Sequence, residues 1–419
     1  MGFASEWLGS AALFPQLIKE APENDTGIII VVPSYDEPGI TRLLNSLSDC
    51  ISPVCNVEVI VIVNAPARAD ISCLDNNKLT IKNIESWKKV NKPFFRLYFF
   101  DTGEPALKGW GVGMARKTGM DEALRRFDIT GRADGIIANT DADCTVGRNY
   151  FIALESDFLK KKGRKACSVF FEHPLEGEEF SPDIYHSVRQ YELHLRYFCQ
   201  ALRYAGFPNS FQTVGSSLAV RAIDYMKAGG MNRRQAGEDF YFIQKLVAAG
   251  GYFNLNSTTV YPSPRASGRV PFGTGAAVGK MMNDGNISFL TYALRAFNDL
   301  KLFFGLCEEA REAGEKNLNK LYRKLPDSVR SFISEDELTG KITEILNNTS
   351  SDEAFKKRFF DWFNMFRVVK FLNFTHTLMF TKIPVNESSS EFIKLAYSAE
   401  YKGNEIEIIR YLREKERLF

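Results

Sequence analysis

Runs of aliphatic residues alternate with amphipathic segments of helix length over the first third of the chain. Gly27 to Val32 reads GIIIVV, and Val57 to Val63 reads VEVIVIV. Aliphatic runs of this kind are typical of strands that are buried on both faces of a parallel sheet. Two further strands are predicted at Phe94 to Phe100 and at Gly135 to Asn139.

The segments between these strands have the spacing of helices. Pro38 to Leu47 places apolar residues three and four positions apart, and Met114 to Phe127 is a second helix candidate. Strands that alternate with helices indicate an α/β fold with a layered, mostly parallel sheet. Ligands of such sheets bind beyond the carboxyl ends of the strands.

The pattern changes near residue 285, where strand signals give way to long helical segments at 287–313, 317–347 and 352–380. We therefore expect a helical C-terminal extension after an α/β domain. The predicted organisation is an N-terminal segment at 1–25, the α/β domain at 26–285 and the helical extension at 286–419.

The composition excludes several classes of protein. The 419 residues are 45% hydrophobic and 25% charged, which is typical of a globular protein. A net charge of +2 gives no electrostatic reason to expect nucleic acid as a partner. The seven scattered cysteines form no C-x-x-C pair, and no long apolar run predicts a transmembrane helix. A cytoplasmic location is expected.

Asp141-Ala142-Asp143 directly follows the strand predicted at 135–139. Two carboxylates that flank one residue can hold a hard divalent cation, Mn²⁺ or Mg²⁺, which keeps ligand positions for phosphate oxygens. The same sequence also occurs in solvated turns, where Asp caps backbone groups. Its position after an aliphatic strand favours the metal site.

Glu238 and Asp239 open a helical pattern, EDFYFIQKLVAAG. One interpretation is electrostatic, because acidic residues in the first turn of a helix are stabilised by its dipole. The other is chemical, because a carboxylate there can act as general base toward an acceptor hydroxyl.

Three glycine-rich segments are candidates for ligand contact. Gly215 and Ser216 belong to VGSS, where glycine allows close approach of the backbone. Lys108 opens a glycine loop, KGWGVG, that leads into the predicted helix with Arg116, and such a loop at a helix N-terminus with nearby cations could bind a diphosphate. Arg265 and Arg269, in SPRASGR, could close over phosphates. Ordinary turns and solvated loops remain alternatives for all three.

Two aromatic and amphipathic segments lie at 184–205 and 355–380. Core packing is one interpretation. The other is an acceptor groove or peripheral membrane contact, since aromatic and basic residues mix in both segments.

Taken in chain order, five motifs together resemble those of glycosyltransferase family 2, whose members are inverting nucleotide-sugar enzymes with the GT-A fold. The motifs are VPSYDEPG, the glycine loop with ARK, DAD after a strand, VGSS and GED. The resemblance covers residues 26 to 275. It implies a mixed, mostly parallel sheet flanked by helices, a nucleotide-diphosphate sugar donor and a divalent cation.

The resemblance also implies roles for individual residues. Asp141 and Asp143 would hold the metal, and Asp239 would be the base, supported by Glu238. The nucleotide and the donor sugar would lie beside a larger set of residues, which comprises Pro33, Tyr35, Glu37, Asn64, Lys108, Arg116, Asp141, Gly215, Ser216, Arg265 and Arg269.

Two positions depart from the family pattern. Asn64 stands in VIVNAP where members commonly carry Asp, and an amide suits uracil better than guanine, which favours a UDP-sugar. SPRASGR has no late histidine for the metal, and Arg265 or Arg269 stands there instead.

The hypothesis is therefore a metal-assisted inverting glycosyltransferase. The acceptor, whether saccharide, lipid or protein, and the oligomeric state do not follow from the sequence. Two alternatives stay open, a nucleotidyltransferase and a non-catalytic nucleotide-sugar-binding protein with a degenerate GT-A fold.

Overall fold

The computed structural model describes residues 2–66, 69–103, 111–233, 237–268, 272–285, 288–314, 317–399 and 403–419. These residues pack into two compact units. Unit 1 comprises 1–185, 213–280 and 417–419, and unit 2 comprises 186–212 and 281–416.

Unit 1 is built on one eight-stranded sheet with the order β3-β2-β1-β4-β7-β6-β8-β5. Its strands are β1 (Thr26–Ser34), β2 (Asn56–Val63), β3 (Arg96–Asp101), β4 (Ile136–Asn139), β5 (Thr145–Val146), β6 (Ala166–Phe171), β7 (Leu218–Arg221) and β8 (Tyr252–Tyr261). Four neighbouring pairs are parallel, and the pairs β4–β7, β6–β7 and β5–β8 are antiparallel. The sheet is thus mixed but mostly parallel.

The strands predicted from aliphatic runs are present, and β1 is buried along its whole length. The helices of unit 1 are α1 (Ser5–Ala11), α2 (Thr41–Ser48), α3 (Ile71–Val90), α4 (Val112–Thr130), α5 (Tyr150–Lys160), α7 (Ala222–Lys227) and α8 (Glu238–Ala248). Two more helices, α6 (Pro182–Tyr204) and α9 (Thr274–Asn283), have residues in both units. A short 3₁₀ turn, Gly215–Ser217, precedes β7. The predicted fold class, a mostly parallel sheet flanked by helices with a helical C-terminal region, is confirmed.

The chain before β1 packs along α4. Glu122 of α4 accepts the backbone N–H groups of Leu17 and Ile18, at 3.1 and 3.0 Å. Asp128, also on α4, accepts the N–H of Ala4 at 2.5 Å and the hydroxyl of Ser5 at 2.6 Å. Two carboxylates of one helix therefore hold the N-terminal segment.

Unit 2 is helical apart from a two-stranded ribbon, β9 (Leu290–Thr291) with β10 (Ile383–Pro384). Its further helices are α10 (Leu294–Ala313), α11 (Leu318–Arg323), α12 (Asp327–Phe332), α13 (Glu335–Asn347), α14 (Asp352–Trp362), α15 (Met365–Leu378), α16 (Val385–Tyr397) and α17 (Glu405–Arg417). The segment predicted as one helix at 317–347 is three helices. Pro326 has no N–H for a continuing helix, and the Ser334 hydroxyl caps α13 by accepting the N–H of Glu337.

Aromatic rings form the core of unit 2. The ring of Phe303 lies 4.8 Å from that of Phe363 and 5.5 Å from that of Phe359, between centroids. Phe303 belongs to α10, whereas Phe359 and Phe363 belong to the aromatic segment noted at 355–380, and both of these are fully buried. Packing accounts for them. In the described part of the chain, every helix is too short or too polar to cross a bilayer.

Candidate functional site

The sheet brings four sequence motifs to one edge. Strands β1, β2 and β4 run parallel, so Ser34 to Glu37, Asn64 and the Thr140 to Asp143 segment all follow their carboxyl ends. Strand β7 runs antiparallel to β4, with Leu218 opposite Asn139, so the turn before it begins at the same edge. The hydroxyl of Thr140 donates to the carbonyl of Ser216 at 3.3 Å, which joins the DAD and VGSS segments directly.

Asn77 of α3 ties together the loops after β1 and β2. Its side-chain oxygen accepts the N–H of Asp36 at 2.9 Å, and its amide donates to the carbonyl of Asn64 at 2.8 Å. The N–H of Asn64 in turn donates to the carbonyl of Ser34 at 2.9 Å. Asn64 is only 3% exposed. No sequence pattern points to Asn77, because its two partners are distant in the chain.

The residues of the first loop occupy different depths. Pro33 is buried within β1, and Tyr35 is half-buried. Burial, followed by a hydrogen bond with Cys73 of α3, raises the pKa of the Tyr35 hydroxyl well above its usual value. Tyr35 therefore stays protonated and can serve as a hydrogen-bond donor or as an apolar surface for a ring.

Arg116 lies at the centre of the acidic residues. Its guanidinium donates to Asp141 Oδ1 at 2.6 Å and to Glu238 through a second nitrogen. Arg116 is 4% exposed and Glu238 is 2% exposed, so this ion pair is removed from solvent. Burial alone would lower the pKa of Arg116, but the charges of Asp141, Glu238 and Asp239 raise it. The arginine is therefore a permanent cation that holds DAD against GED.

Gly215 allows this arrangement by lacking a side chain. A Cβ at this position would lie 2.3 Å from Nη1 of Arg116 and 2.7 Å from its Cζ. The guanidinium thus packs directly on the backbone of the VGSS turn. Glycine is required at position 215 because a side chain there would clash with the buried guanidinium of Arg116.

Asp239 completes the cluster. It is half-buried, and it accepts backbone N–H groups from Phe240, at 2.7 Å, and from Gly215. Burial raises the pKa of Asp239, and the charge of Asp141 adds to this, against the opposing effects of Arg116 and the two N–H groups. Glu238 also has a raised pKa, chiefly through burial, which outweighs the lowering effect of Arg116. The two acids are stronger proton acceptors than ordinary surface carboxylates.

The second carboxylate of DAD faces another arginine. Arg265 pairs with Glu37, and its Nη2 lies 3.6 Å from Oδ2 of Asp143. Glu37 is 5% exposed, whereas the Arg265 side chain is 35% exposed. Arg265 therefore reaches from solvent into the site. Lys108 and Arg269, two other residues predicted to contact the donor, lie outside the described residues.

The turn that presents DAD is closed by a residue that sequence reasoning missed. The N–H of Cys144 donates to the carbonyl of Asp141 at 3.0 Å. Cys144 is 1% exposed, and burial followed by the charges of Asp143 and Asp141 raises the pKa of its thiol well above the usual value. The thiol therefore remains neutral, and its contribution is to the packing of the turn.

The oxygen donors of DAD fit a hard divalent cation. The side chains of Asp141 and Asp143 are 36% and 25% exposed, so both remain accessible. Within the described ranges, no group of three Asp, Glu, His or Cys side chains is arranged to hold a metal. A cation here would take two carboxylate ligands from the protein, and its other ligands would come from phosphate and water, as is usual for Mg²⁺.

No family model matches the sequence, and no curated protein matches it. Solved structures match at low similarity. S. aureus TarS 1–349 in complex with UDP-GlcNAc has a TM-score of 0.39 and 13% identity, covering 79% of this chain and 89% of that one. The mannosyltransferase PcManGT from Pyrobaculum calidifontis, in complex with GDP-Man and Mn²⁺, has a TM-score of 0.38 and 16% identity over 99% and 92% of the two chains.

Glucosyl-3-phosphoglycerate synthase from Mycobacterium tuberculosis, in complex with Mg²⁺ and UDP, has a TM-score of 0.33 and 16% identity over 55% and 69% of the two chains. At these TM-scores, likeness to the three structures carries no argument about chemistry. The function must be argued from the side chains at the carboxyl edge of the sheet.

Proposed function

We propose that this chain is an inverting glycosyltransferase of family 2 that transfers a sugar from a nucleotide-diphosphate donor to an acceptor hydroxyl. The observation that supports the proposal is the convergence of Asp141, Glu238 and Asp239 around Arg116. Acids from two distant motifs share one buried cation at the edge where α/β sheets bind ligands.

The donor would lie with its diphosphate against DAD. Asp141 and Asp143 would hold Mn²⁺ or Mg²⁺, which supplies a positive charge for the diphosphate leaving group. Arg265 already approaches Asp143 from solvent, so its guanidinium is placed to bind phosphate oxygens as well. Asn64, with its amide in place of a carboxylate, favours uridine as the base.

Asp239 is proposed as the general base. The acceptor O–H gives its proton to Asp239, its oxygen forms the bond to the anomeric carbon, and the bond to the diphosphate oxygen breaks on the opposite face. The raised pKa of Asp239 suits this task, because a more basic carboxylate accepts a proton more readily. Arg116 keeps Asp141 and Glu238 in position during the transfer.

The test is the variant Asp239→Asn, compared with Asp75→Asn, whose side chain is 62% exposed on α3. A panel of UDP- and GDP-sugars with Mn²⁺ and candidate acceptors is screened for release of nucleoside diphosphate. We expect Asp239→Asn to lower kcat by about 10²- to 10⁴-fold, the usual contribution of a general base, and Asp75→Asn to leave it unchanged.

Donor binding provides the second measurement. The thermal shift produced by the preferred nucleotide diphosphate with Mn²⁺ should persist in Asp239→Asn, since a folded protein that binds ligand is stabilised by mass action. Full turnover in that variant would remove the base assignment. Release of pyrophosphate from a nucleoside triphosphate and a sugar phosphate would instead identify a nucleotidyltransferase, and binding without turnover would identify a binding protein.

A further inference from the structure

The edge of the sheet opposite the candidate site exposes large aliphatic side chains. This edge holds the segments that lead into β2, β3, β4 and β6, which all run in the same direction. The exposed side chains are Ile51 (51%), Val54 (96%), Val90 (82%), Ile129 (52%) and Leu159 (71%). A single exposed aliphatic residue is ordinary, but several at one edge mark an interaction surface.

Hydrogen bonds join neighbouring parts of this edge. The carboxylate of Glu155 on α5 accepts the N–H groups of Val54 and Cys55, at 3.1 and 2.9 Å. Leu159 follows Glu155 by one helical turn and therefore lies on the same face of α5. Val54 and Leu159, the first and third most exposed of the five, thus belong to one continuous surface.

Arg221 fixes the next part of the edge. Its guanidinium donates to the carbonyls of Asp134, Phe158 and Arg164, at 3.0, 2.6 and 2.8 Å. Asp134 belongs to the turn that follows α4, Phe158 to the last turn of α5, and Arg164 to the turn that follows α5. The segment with Ile129 is therefore held beside the segment with Leu159.

Two groups of cations flank the aliphatic residues. Lys88, Lys89 and Lys92 precede β3, and the run 160–165, KKKGRK, precedes β6. Five strand spacings separate β3 from β6 in the sheet, about 24 Å at roughly 4.8 Å each. Asp157 forms ion pairs with Lys160 and Arg164, at 3.2 and 2.8 Å. Lys161 and Lys162, which lie between those two cations in the chain, are exposed.

We propose that this surface, called here the basic rim and defined by residues 51–54, 88–92, 129–132 and 159–165, docks on a lipid bilayer with anionic headgroups. The aliphatic tips would enter the headgroup boundary while the lysines attract lipid phosphates. The exposed large apolar side chains of these segments are all aliphatic, whereas binding of single-stranded nucleic acid relies on aromatic rings for stacking.

The test is co-sedimentation of the full chain with phosphatidylcholine vesicles, either pure or containing about one-third phosphatidylglycerol. We expect binding to the anionic vesicles alone, and loss of most binding when NaCl rises from about 0.1 M to about 1 M, which shortens the Debye length from about 10 Å to about 3 Å. The double variant Lys161→Gln/Lys162→Gln should bind about thirty-fold more weakly, at about 1 kcal/mol for each lysine.

Two further double variants separate the apolar contribution to vesicle binding from the electrostatic one. Val54→Ser/Leu159→Ser should weaken binding while leaving its salt dependence in place, since it removes only apolar contact. The matched control Lys78→Gln/Lys82→Gln removes the same charge from exposed positions of α3 that lie outside the segments defining the rim, and should leave binding unchanged. All six positions are exposed, so the variants are expected to fold, as thermal denaturation would check.

Three outcomes would overturn the proposal. They are a failure of the wild-type chain to bind anionic vesicles, an equal loss of binding in the control variant, and binding of the rim to single-stranded nucleic acid but not to vesicles. Because the Lys161/Lys162 and Val54/Leu159 variants lie at the far edge of the sheet, donor hydrolysis by these two free proteins should be unaffected, which keeps this test separate from that of the proposed function.

Discussion

Removal of the Arg116 guanidinium is the most direct perturbation of the candidate site. Arg116→Met keeps most of the length of the side chain and deletes its charge. Glu238, whose side chain is 2% exposed, then loses this cation, and Asp141 loses its 2.6 Å partner. Arg116→Lys is the conservative comparison, because a single ammonium lacks the planar fork that holds two carboxylates at once.

The expected magnitude follows from the burial of the pair. Breaking a buried ion pair by deleting one partner costs about 3–5 kcal/mol, so Arg116→Met should lower the free energy of unfolding by that amount. Glu238→Gln should cost less, about 1–3 kcal/mol, because Arg116 keeps Asp141. The double variant leaves no charge of this pair behind and should cost less than the sum of the two single changes, with a coupling energy of about 1–3 kcal/mol.

Urea denaturation of the wild type, the two single variants and the double variant gives this coupling energy. Amide hydrogen exchange in α4 and α8 gives a local measurement, since both helices begin at the cluster. We expect faster exchange in both helices for Arg116→Met, and partial recovery in the double variant.

If the losses of unfolding free energy in the two single variants simply add up in the double variant, the reasoning is refuted. It is also refuted if Arg116→Met lowers the free energy of unfolding by less than about 1 kcal/mol, which is the range of exposed ion pairs. Either result would mean that Arg116 is solvated and does not hold the two acidic motifs together. Arg116→Lys should lie between the wild type and Arg116→Met, and this variant also remains measurable if the methionine variant fails to fold.

Two further changes have defined outcomes. Gly215→Ala would place a Cβ 2.3 Å from Nη1 of Arg116, so we expect lower thermal stability and weaker nucleotide binding, with Gly9→Ala, where a Cβ meets nothing within 4 Å, as the control. In unit 2, burial and then Lys382 lower the pKa of His194 from 6.5 to about 4. Between these pH values the unfolded chain binds a proton that the folded chain does not, so stability should fall as pH drops through this window, by at most about 3 kcal/mol. His194→Gln should flatten that slope in denaturation measured at several pH values, and an unchanged slope would count against the assignment.

The aliphatic runs predicted the central strands because a strand buried on both faces has no polar alternation to obscure it. The short strand β7, LAVR, carries no such signal, since three apolar residues followed by an arginine fit a turn or a helix equally well. Its antiparallel pairing with β4 is what brings Gly215 to the edge of the sheet, and only the structure reveals it.

The sequence predicted which acids are candidates for the site, but it did not predict which side chains contact one another there. Asp141 and Asp143 were evident because they follow a predicted strand, and Asp239 because it opens a predicted helix. Arg116 was expected to contact a donor, yet in the structure it pairs with Asp141 and Glu238, partners that lie 25 and 122 positions away in the chain. Sequence patterns report neighbours along a helix or strand, and they do not report which distant carboxylate meets a given cation.

The contacts between the N-terminal segment and α4 affect how the protein should be handled. Glu122 and Asp128 bind backbone N–H groups of residues 4–18, so a shortened start would leave two carboxylates of α4 without those donors. Arg116 belongs to the first turns of the same helix. An affinity tag or fusion partner placed directly before this segment is therefore expected to loosen the cluster of acids from a distance.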